Sequence, residues 1–72
     1  MLKCSAALQE INLESNKRMD RIVIYSLDGG VMYDRNYFTD KINVRLDGFI
    51  PGIYFVRVFQ NGRSEVQKFV VM

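Results

Sequence analysis

The sequence contains no histidine and no tryptophan, and only one cysteine and one proline among 72 residues. Without histidine, the usual general base of Ser–His and Cys–His nucleophilic sites is missing. The single Cys4 excludes an internal disulfide and a cysteine-built metal site. We therefore predict a protein that is not an enzyme, with no catalytic, cofactor-binding or metal-binding residues and no cofactor.

A strong excess of charge of one sign is also missing. The net charge of +2 is too weak to indicate the basic stripe of a nucleic-acid-binding protein. Lys17, Arg18 and Arg21 cluster, but Glu14 and Asp20 interrupt them. Several aromatic residues have the chemistry to stack on bases, but basic residues do not interleave with them along one face. We expect these aromatics to fill the core and anchor loops instead, and we predict no nucleic-acid partner: Tyr33, Tyr37, Phe38, Tyr54, Phe55 and Phe59.

Long hydrophobic runs are absent as well. No run approaches the 18 or so apolar residues of a membrane span, so direct membrane insertion is not predicted. The opening stretch from Cys4 to Leu8 is shorter than the hydrophobic region of a secretory signal, about 7–15 residues, and predicts no export signal by itself. Aspartates lie near predicted strand ends without the close spacing of a calcium loop, and we expect them to serve turns: Asp28, Asp34, Asp40 and Asp47.

What the sequence does contain is alternation with a period of two. Ile42, Val44 and Leu46 alternate with polar residues, which is typical of a strand with one buried face. The run "IYFVRVF" over 53–59 is apolar at every position except Arg57, and predicts a central strand covered on both faces. About six strands are predicted, with a loop over 36–40: 10–15, 19–27, 31–35, 41–46, 53–59 and 64–71.

Turn residues punctuate this pattern. Asp28-Gly29 predicts a type I′ hairpin turn, because both of its residue types tolerate positive φ, and Asn61-Gly62 predicts a second hairpin turn. Pro51 lacks an amide donor and is expected just before a strand. Residues 1–9 predict an irregular or partner-bound segment, and residues 10–72 a small antiparallel β-sandwich of the immunoglobulin-like kind.

The ordered motifs of this chain resemble a known family. They read Ile-Tyr-Ser-Leu-Asp-Gly over 24–29, Pro-Gly-Ile-Tyr-Phe-Val-Arg-Val over 51–58, Asn61-Gly62, and Lys-Phe-Val-Val over 68–71. In this order, and over about residues 10–71, they resemble the C-terminal sorting domain of the Bacteroidetes type IX secretion system, type A class.

The resemblance implies a signal and not an enzyme. It implies an immunoglobulin-like sandwich on exported cargo, recognised by the outer-membrane secretion machinery and removed by a sortase-type signal peptidase. The cargo would pass from the periplasm to the cell surface or be secreted. The resemblance places recognition in the last strands: Gly52, Ile53, Tyr54, Phe55, Val56, Val58, Lys68, Phe69, Val70 and Val71.

The chain departs from the family at its beginning. The Pro-Asn-Pro of the family's first strand is absent, so the first strand is expected to be missing or replaced. A missing strand leaves an unpaired sheet edge that invites pairing with another copy, and we therefore predict a homodimer. The alternative to a sorting signal is a stand-alone immunoglobulin-like protein-interaction or adhesion module.

Overall fold

A computed structural model describes residues 2–7 and 9–72 of the chain. Every strand pairing in this part is antiparallel, and no helix occurs in it. The all-β antiparallel class is therefore confirmed, whereas the immunoglobulin-like arrangement stays a prediction. Five strands form one sheet: β1 (Leu2–Ala7), β2 (Glu10–Ser26), β3 (Val31–Arg45), β4 (Gly52–Gln60) and β5 (Arg63–Val71).

The long strand β2 organises the sheet. One of its sides pairs with β3 along both of its halves. The other side pairs with β1 over residues 10–15 and with β4 over residues 21–26, and β5 extends the sheet beyond β4. The β2–β3 register shifts between Glu14 and Met19 and again before Arg21, and such bulges bend and twist strands. The bend separates the half of the sheet that carries β1 from the half that carries β4 and β5.

Alternating apolar residues from both halves of β2 join one core. Ile11 and Leu13 come from the first half, and Ile22 and Ile24 from the second. The predicted inward face of Ile42, Val44 and Leu46 is buried. Burying these side chains supplies the main driving force for folding. The core consists of Leu2, Ile11, Leu13, Met19, Ile22, Ile24, Ile42, Val44, Leu46, Tyr54, Val56, Val58, Phe69 and Val71.

The number and limits of the strands differ from the prediction. The predicted strands over 10–15 and 19–27 are parts of the single strand β2, and the predicted loop over 36–40 lies within β3. Pairing continues through this region, since Met19 lies opposite Thr39 and Arg21 opposite Asn36. The polar and aromatic residues over 36–40 do not alternate and therefore predict a loop. Their strand conformation depends on the partner strand β2 instead.

The N-terminal segment also differs from the prediction. Residues 2–7 form β1, with Leu2 opposite Ser15 and Ala6 opposite Ile11, whereas an irregular segment was predicted over residues 1–9; Met1 and Leu8 lie outside the described residues. Leu2 is buried and Cys4 packs against the core. A strand therefore pairs with the first part of β2.

The two predicted hairpin turns have different geometries. Asn61 and Gly62 have φ angles of +50° and +81°, as a type I′ turn requires. Asp28 does not have positive φ. The Gly29 amide donates to the Ser26 carbonyl and the Ser26 amide to the Gly30 carbonyl, each at 2.9 Å. With Gly29 at φ +94°, this is the three-residue loop with a glycine bulge, so the type I′ prediction is wrong there.

Candidate recognition surface

Three of the segments singled out in the sequence meet at one end of the sheet. Ser26 at the end of β2 lies opposite Tyr54, and Gly52 at the start of β4 lies opposite Val71. Asn61-Gly62 closes the same β4–β5 hairpin at its opposite end. We call the end of the sheet that contains Ser26, Gly52 and Val71 the motif end, and we define it as residues 26–28, 50–54 and 69–71. Three stretches that are distant in sequence therefore share one location.

Within this region the two predicted recognition segments are direct cross-strand neighbours. Ile53 lies opposite Val70, Tyr54 opposite Phe69, and Phe55 opposite Lys68. Residues opposite each other in an antiparallel pair place their side chains on the same face of the sheet. Each pair therefore belongs either to the core face or to the outer face, and the recognition motifs divide accordingly.

One half of the predicted recognition residues is buried. These side chains belong to the core: Tyr54, Val56, Val58, Phe69 and Val71. The Tyr54 ring packs against Phe69, with ring centroids 5.9 Å apart, and against Phe49 at 5.2 Å. Its hydroxyl donates a hydrogen bond of 2.6 Å to the carbonyl of Ile50. These residues hold the hairpin and its preceding loop in place and are not accessible to a partner.

The other half points outward. The side chains of Ile53 and Val70 are 39% and 48% exposed, which is high for paired aliphatic residues, and Lys68 is exposed as well. Phe55 is half-buried, and its ring stacks on Tyr25 at a centroid distance of 5.6 Å. The prediction that β4 is covered on both faces is therefore wrong, because nothing within the described residues covers its outer face.

A shallow groove of about 560 Å³ opens at the motif end. Among its lining residues, Leu27 is 66% exposed and Ile50 is 74% exposed, and Met32, Pro51 and Ile53 add further apolar surface. Sequence reasoning missed Leu27, Met32 and Ile50 as candidate recognition residues. The available signal was that each is a large apolar residue in or beside a turn, where a core position is not expected.

The polar groups of the motif end stabilise its turn. The Ser26 hydroxyl donates a hydrogen bond to the Asp28 carboxylate, and the Gly30 amide donates to the same oxygen at 3.4 Å. The Ser26 hydrogen bond is the main reason that the pKa of Asp28 lies below its ordinary value, with the Gly30 amide contributing next. Asp28 therefore stays charged and fixes the loop that presents Leu27.

Three other features lie away from this region. Arg21 forms an ion pair of 2.6 Å with Asp34 on the neighbouring strand, and Arg18 lies over the Phe38 ring at 3.8 Å. Cys4 is half-buried, and burial raises the pKa of its thiol, which disfavours the reactive thiolate. Within the basic cluster, Arg18 and Arg21 are therefore engaged in local contacts.

The described residues do not bring metal-ligating side chains together. No three His, Cys, Asp or Glu side chains within residues 2–7 and 9–72 are placed to hold a metal ion. The same part of the chain contains no helix of the length and hydrophobicity that crossing a membrane requires. The motif end presents exposed apolar side chains on a paired β-hairpin.

Comparison with known proteins gives one family. The secretion system C-terminal sorting domain family matches residues 7–72, which include β2 to β5 and every predicted recognition residue. A comparison with curated proteins found no match.

Proposed function

The chain belongs to the secretion system C-terminal sorting domain family, and from this premise we propose how it presents its signal. Domains of this family are sorting signals for type IX secretion, and the type IX machinery recognises them. A cargo protein that carries such a domain is bound for the cell surface or for secretion. The function of the domain therefore depends on which of its residues the secretion machinery contacts.

We propose that the machinery binds the exposed apolar side chains of the motif end. The observation that carries this proposal is the division of the motifs between the two faces: Tyr54 and Phe69 enter the core, while their neighbours Ile53 and Val70 form an exposed apolar pair. Leu27 and Ile50 continue that apolar surface into the groove. Contiguous exposed apolar surface on a small domain is typical of a protein-interaction site.

The fold supports this role because strand pairing and a hydrogen bond hold the surface in place. Residues of β4 and β5 pair from Gly52–Val71 to Gln60–Arg63, and the Tyr54 hydroxyl ties the preceding loop to the strand. A preformed surface loses less conformational entropy when it binds than a flexible segment does. The unit that we propose as the sorting domain is residues 10–72, against which β1 is paired.

The domain acts as the object of recognition and carries out no catalysis itself. After recognition, a sortase-type signal peptidase separates the domain from its cargo at the N-terminal side of the sorting unit. The exposed paired side chains Ile53 and Val70 act before that cleavage, when the domain is still attached to the cargo.

We also propose that two copies associate through an unpaired strand edge. Because β1 pairs with the first part of β2, the longest strand edge without a partner among the described residues is the outer side of β3. An unpaired row of backbone donors and acceptors favours pairing with another chain.

The recognition proposal is tested with residues 1–72 fused behind a periplasmic reporter in a host with an active type IX system. Ile53→Asp and Val70→Asp place a carboxylate on the exposed apolar surface, and each is expected to reduce surface delivery at least about tenfold. Thermal unfolding of each purified variant, followed by circular dichroism, is expected to stay close to that of the original chain because neither site belongs to the core.

Phe38→Asp is the matched control, because Phe38 is 73% exposed and lies on β3 away from the motif end. Normal delivery of this control together with loss for Ile53→Asp supports the proposal. Normal delivery of the Ile53 and Val70 variants contradicts it. Retention of the original fusion in the periplasm favours the interaction-module alternative. Deleting residues 68–72 is not informative, since it removes Phe69 and Val71 from the core.

A further inference from the structure

Two cations lie side by side on the outer face of the β4–β5 hairpin. Arg57 is opposite Val66 and Lys68 is opposite Phe55, so Arg57 and Lys68 are diagonal neighbours across the two strands. Diagonal positions of this kind lie roughly 7–8 Å apart, within reach of long side chains. Lys68 is exposed and Arg57 is half-buried. We call these two residues the cation pair.

No carboxylate in the described part of the chain neutralises the cation pair. The ion pairs among the described residues are Arg21–Asp34 and Arg45–Asp47, and neither includes Arg57 or Lys68. The Arg57 guanidinium donates a hydrogen bond of 3.1 Å to the neutral hydroxyl of Ser64. Glu65 alternates with Lys68 along β5, so its side chain is directed to the other face of the strand. The positive charge therefore remains available on this face.

The surroundings of the cation pair are apolar. Phe55 and Val66 lie directly opposite its two members, and Val70 continues the exposed apolar surface along β5 towards the motif end. A partner that covers the motif end and extends along the hairpin would remove Arg57 and Lys68 from water. A charge that is buried without an opposite charge is strongly unfavourable, whereas a hydrogen-bonded opposite charge offsets much of that cost.

The cost of burying an unpaired charge limits the chemistry of the partner. A purely apolar surface would leave two charges unpaired, and a basic surface would add repulsion. A polyanionic membrane surface is generally bound by clusters of about 4–8 basic residues, and this face presents far fewer. An apolar protein surface with one or two carboxylates matches both the apolar side chains and the positive charge. Arg57 is well suited to this role because guanidinium and carboxylate groups can form two parallel hydrogen bonds.

We propose that Arg57 and Lys68 bind Asp or Glu side chains set within an apolar docking surface of a type IX secretion component. This inference rests on the proposed function and adds the charge of the partner to it. In the bound state each carboxylate accepts hydrogen bonds from the cation pair while Ile53 and Val70 make the apolar contacts. The apolar contacts contribute affinity, and the charges select the partner and the register of docking.

Charge reversal in the reporter fusion tests the proposal. Lys68→Glu and Arg57→Glu are each expected to lower surface delivery at least about tenfold, which corresponds to about 1.4 kcal/mol in binding. Lys68→Arg keeps the charge and is expected to deliver close to the original level. Lys41→Glu is the matched control, because Lys41 is an exposed cation on β3 and the change in net charge is identical. Thermal unfolding by circular dichroism verifies that each variant is folded.

A photoreactive amino acid at the exposed position Val66 then captures the partner in living cells. The captured component is expected to carry Asp or Glu at the crosslinked surface, and changing that residue to Lys is expected to restore delivery of Lys68→Glu. This rescue requires a direct charge contact, which a general effect of the variant on folding would not produce.

Two results overturn the inference while leaving the proposed function intact. One is delivery of Lys68→Glu and Arg57→Glu at the level of the original fusion. The other is that the purified domain binds phosphatidylglycerol vesicles and that Lys68→Glu loses this binding, because the cation pair would then bind a lipid surface. Failure of the original fusion to reach the surface overturns the proposed function and this inference together.

Discussion

At the scale of single residues, Tyr54 shows how a signal motif also serves the fold. Its ring is buried between Phe49 and Phe69, and its hydroxyl reaches the Ile50 carbonyl at 2.6 Å. Tyr54→Phe keeps the ring and removes this hydrogen bond. We expect the free energy of unfolding to fall by about 1 kcal/mol, the usual net contribution of a protein hydrogen bond.

Urea denaturation followed by circular dichroism measures this change. Tyr25→Phe is the control, because the Tyr25 ring stacks on Phe55 while its hydroxyl makes no hydrogen bond within the described residues. Its free energy of unfolding is expected to change by less than about 0.5 kcal/mol. Equal losses for the two variants would show that the Ile50 carbonyl is not where Tyr54 acts.

Tyr33 gives a residue-scale prediction about pH. Burial is the largest cause and the hydrogen bond between the Tyr33 and Tyr37 hydroxyls the next, and together they raise the pKa of Tyr33 to about 12. The folded state therefore holds the Tyr33 proton more tightly than the unfolded chain does. The stability that this provides is fully present below the ordinary tyrosine pKa of about 10 and is lost as the pH rises through about 12.

Tyr37→Phe removes the hydroxyl partner and is expected to lower the pKa of Tyr33 towards the ordinary value, though not fully, because burial remains the larger cause. Ultraviolet absorbance titration of the tyrosines measures the shift, and Tyr25→Phe serves as the comparison. An unchanged Tyr33 titration in Tyr37→Phe would contradict the hydrogen bond between the two rings.

At the scale of the strand, the register of β5 predicts a large loss of stability for a substitution at one residue and a small loss at the next. Phe69 is 5% exposed in the core and Val70 is 48% exposed on the outer face. Phe69→Ala is expected to cost about 3–5 kcal/mol of unfolding free energy because it leaves a cavity, and Val70→Ala less than about 0.5 kcal/mol. Urea denaturation measures both. Similar losses at the two positions would show that the strand register is different.

The same alternation explains which elements the sequence could predict. Ile42, Val44 and Leu46 define a buried face without reference to any partner strand, and Asn61-Gly62 specifies its own turn through positive φ. Residues 2–7 have no such pattern. They form a strand because β2 offers them an edge and the core accepts Leu2, and this is tertiary context that local propensity does not encode.

The candidate site was also predictable only in part. The motifs over 51–58 and 68–71 predicted recognition on what the structure shows to be the β4–β5 hairpin, but not which of its side chains are exposed. That division follows from register: Ile53 pairs with Val70 on the outer face, and Tyr54 with Phe69 in the core. Leu27 and Ile50 join the surface only because the β2–β3 turn and the loop before β4 come together, and contacts of this kind are long-range.

At the scale of the whole molecule, the proposed dimer depends on which strand edges are open. β1 and β4 pair with one side of β2 and β3 with the other, so a dimer would use another edge, and the outer side of β3 over Val31–Arg45 has no partner strand among the described residues. Charged residues along β3, such as Asp34, Arg35 and Lys41, oppose unspecific edge pairing. We expect a dimer that forms reversibly at high micromolar concentration. Size-exclusion chromatography with light scattering measures its mass.

Hydrogen exchange locates the interface of that dimer. If two copies pair through β3, amide exchange within Val31–Arg45 slows as concentration rises, while exchange in β5 does not change. Strand β2 separates β3 from β4 and β5, which carry the cation pair, Ile53 and Val70, so the paired form would still expose these proposed binding residues. A monomer at high micromolar concentration contradicts association altogether. Concentration-dependent protection of β5 instead would place the contact where the secretion machinery is proposed to bind, and dimerisation would then compete with sorting.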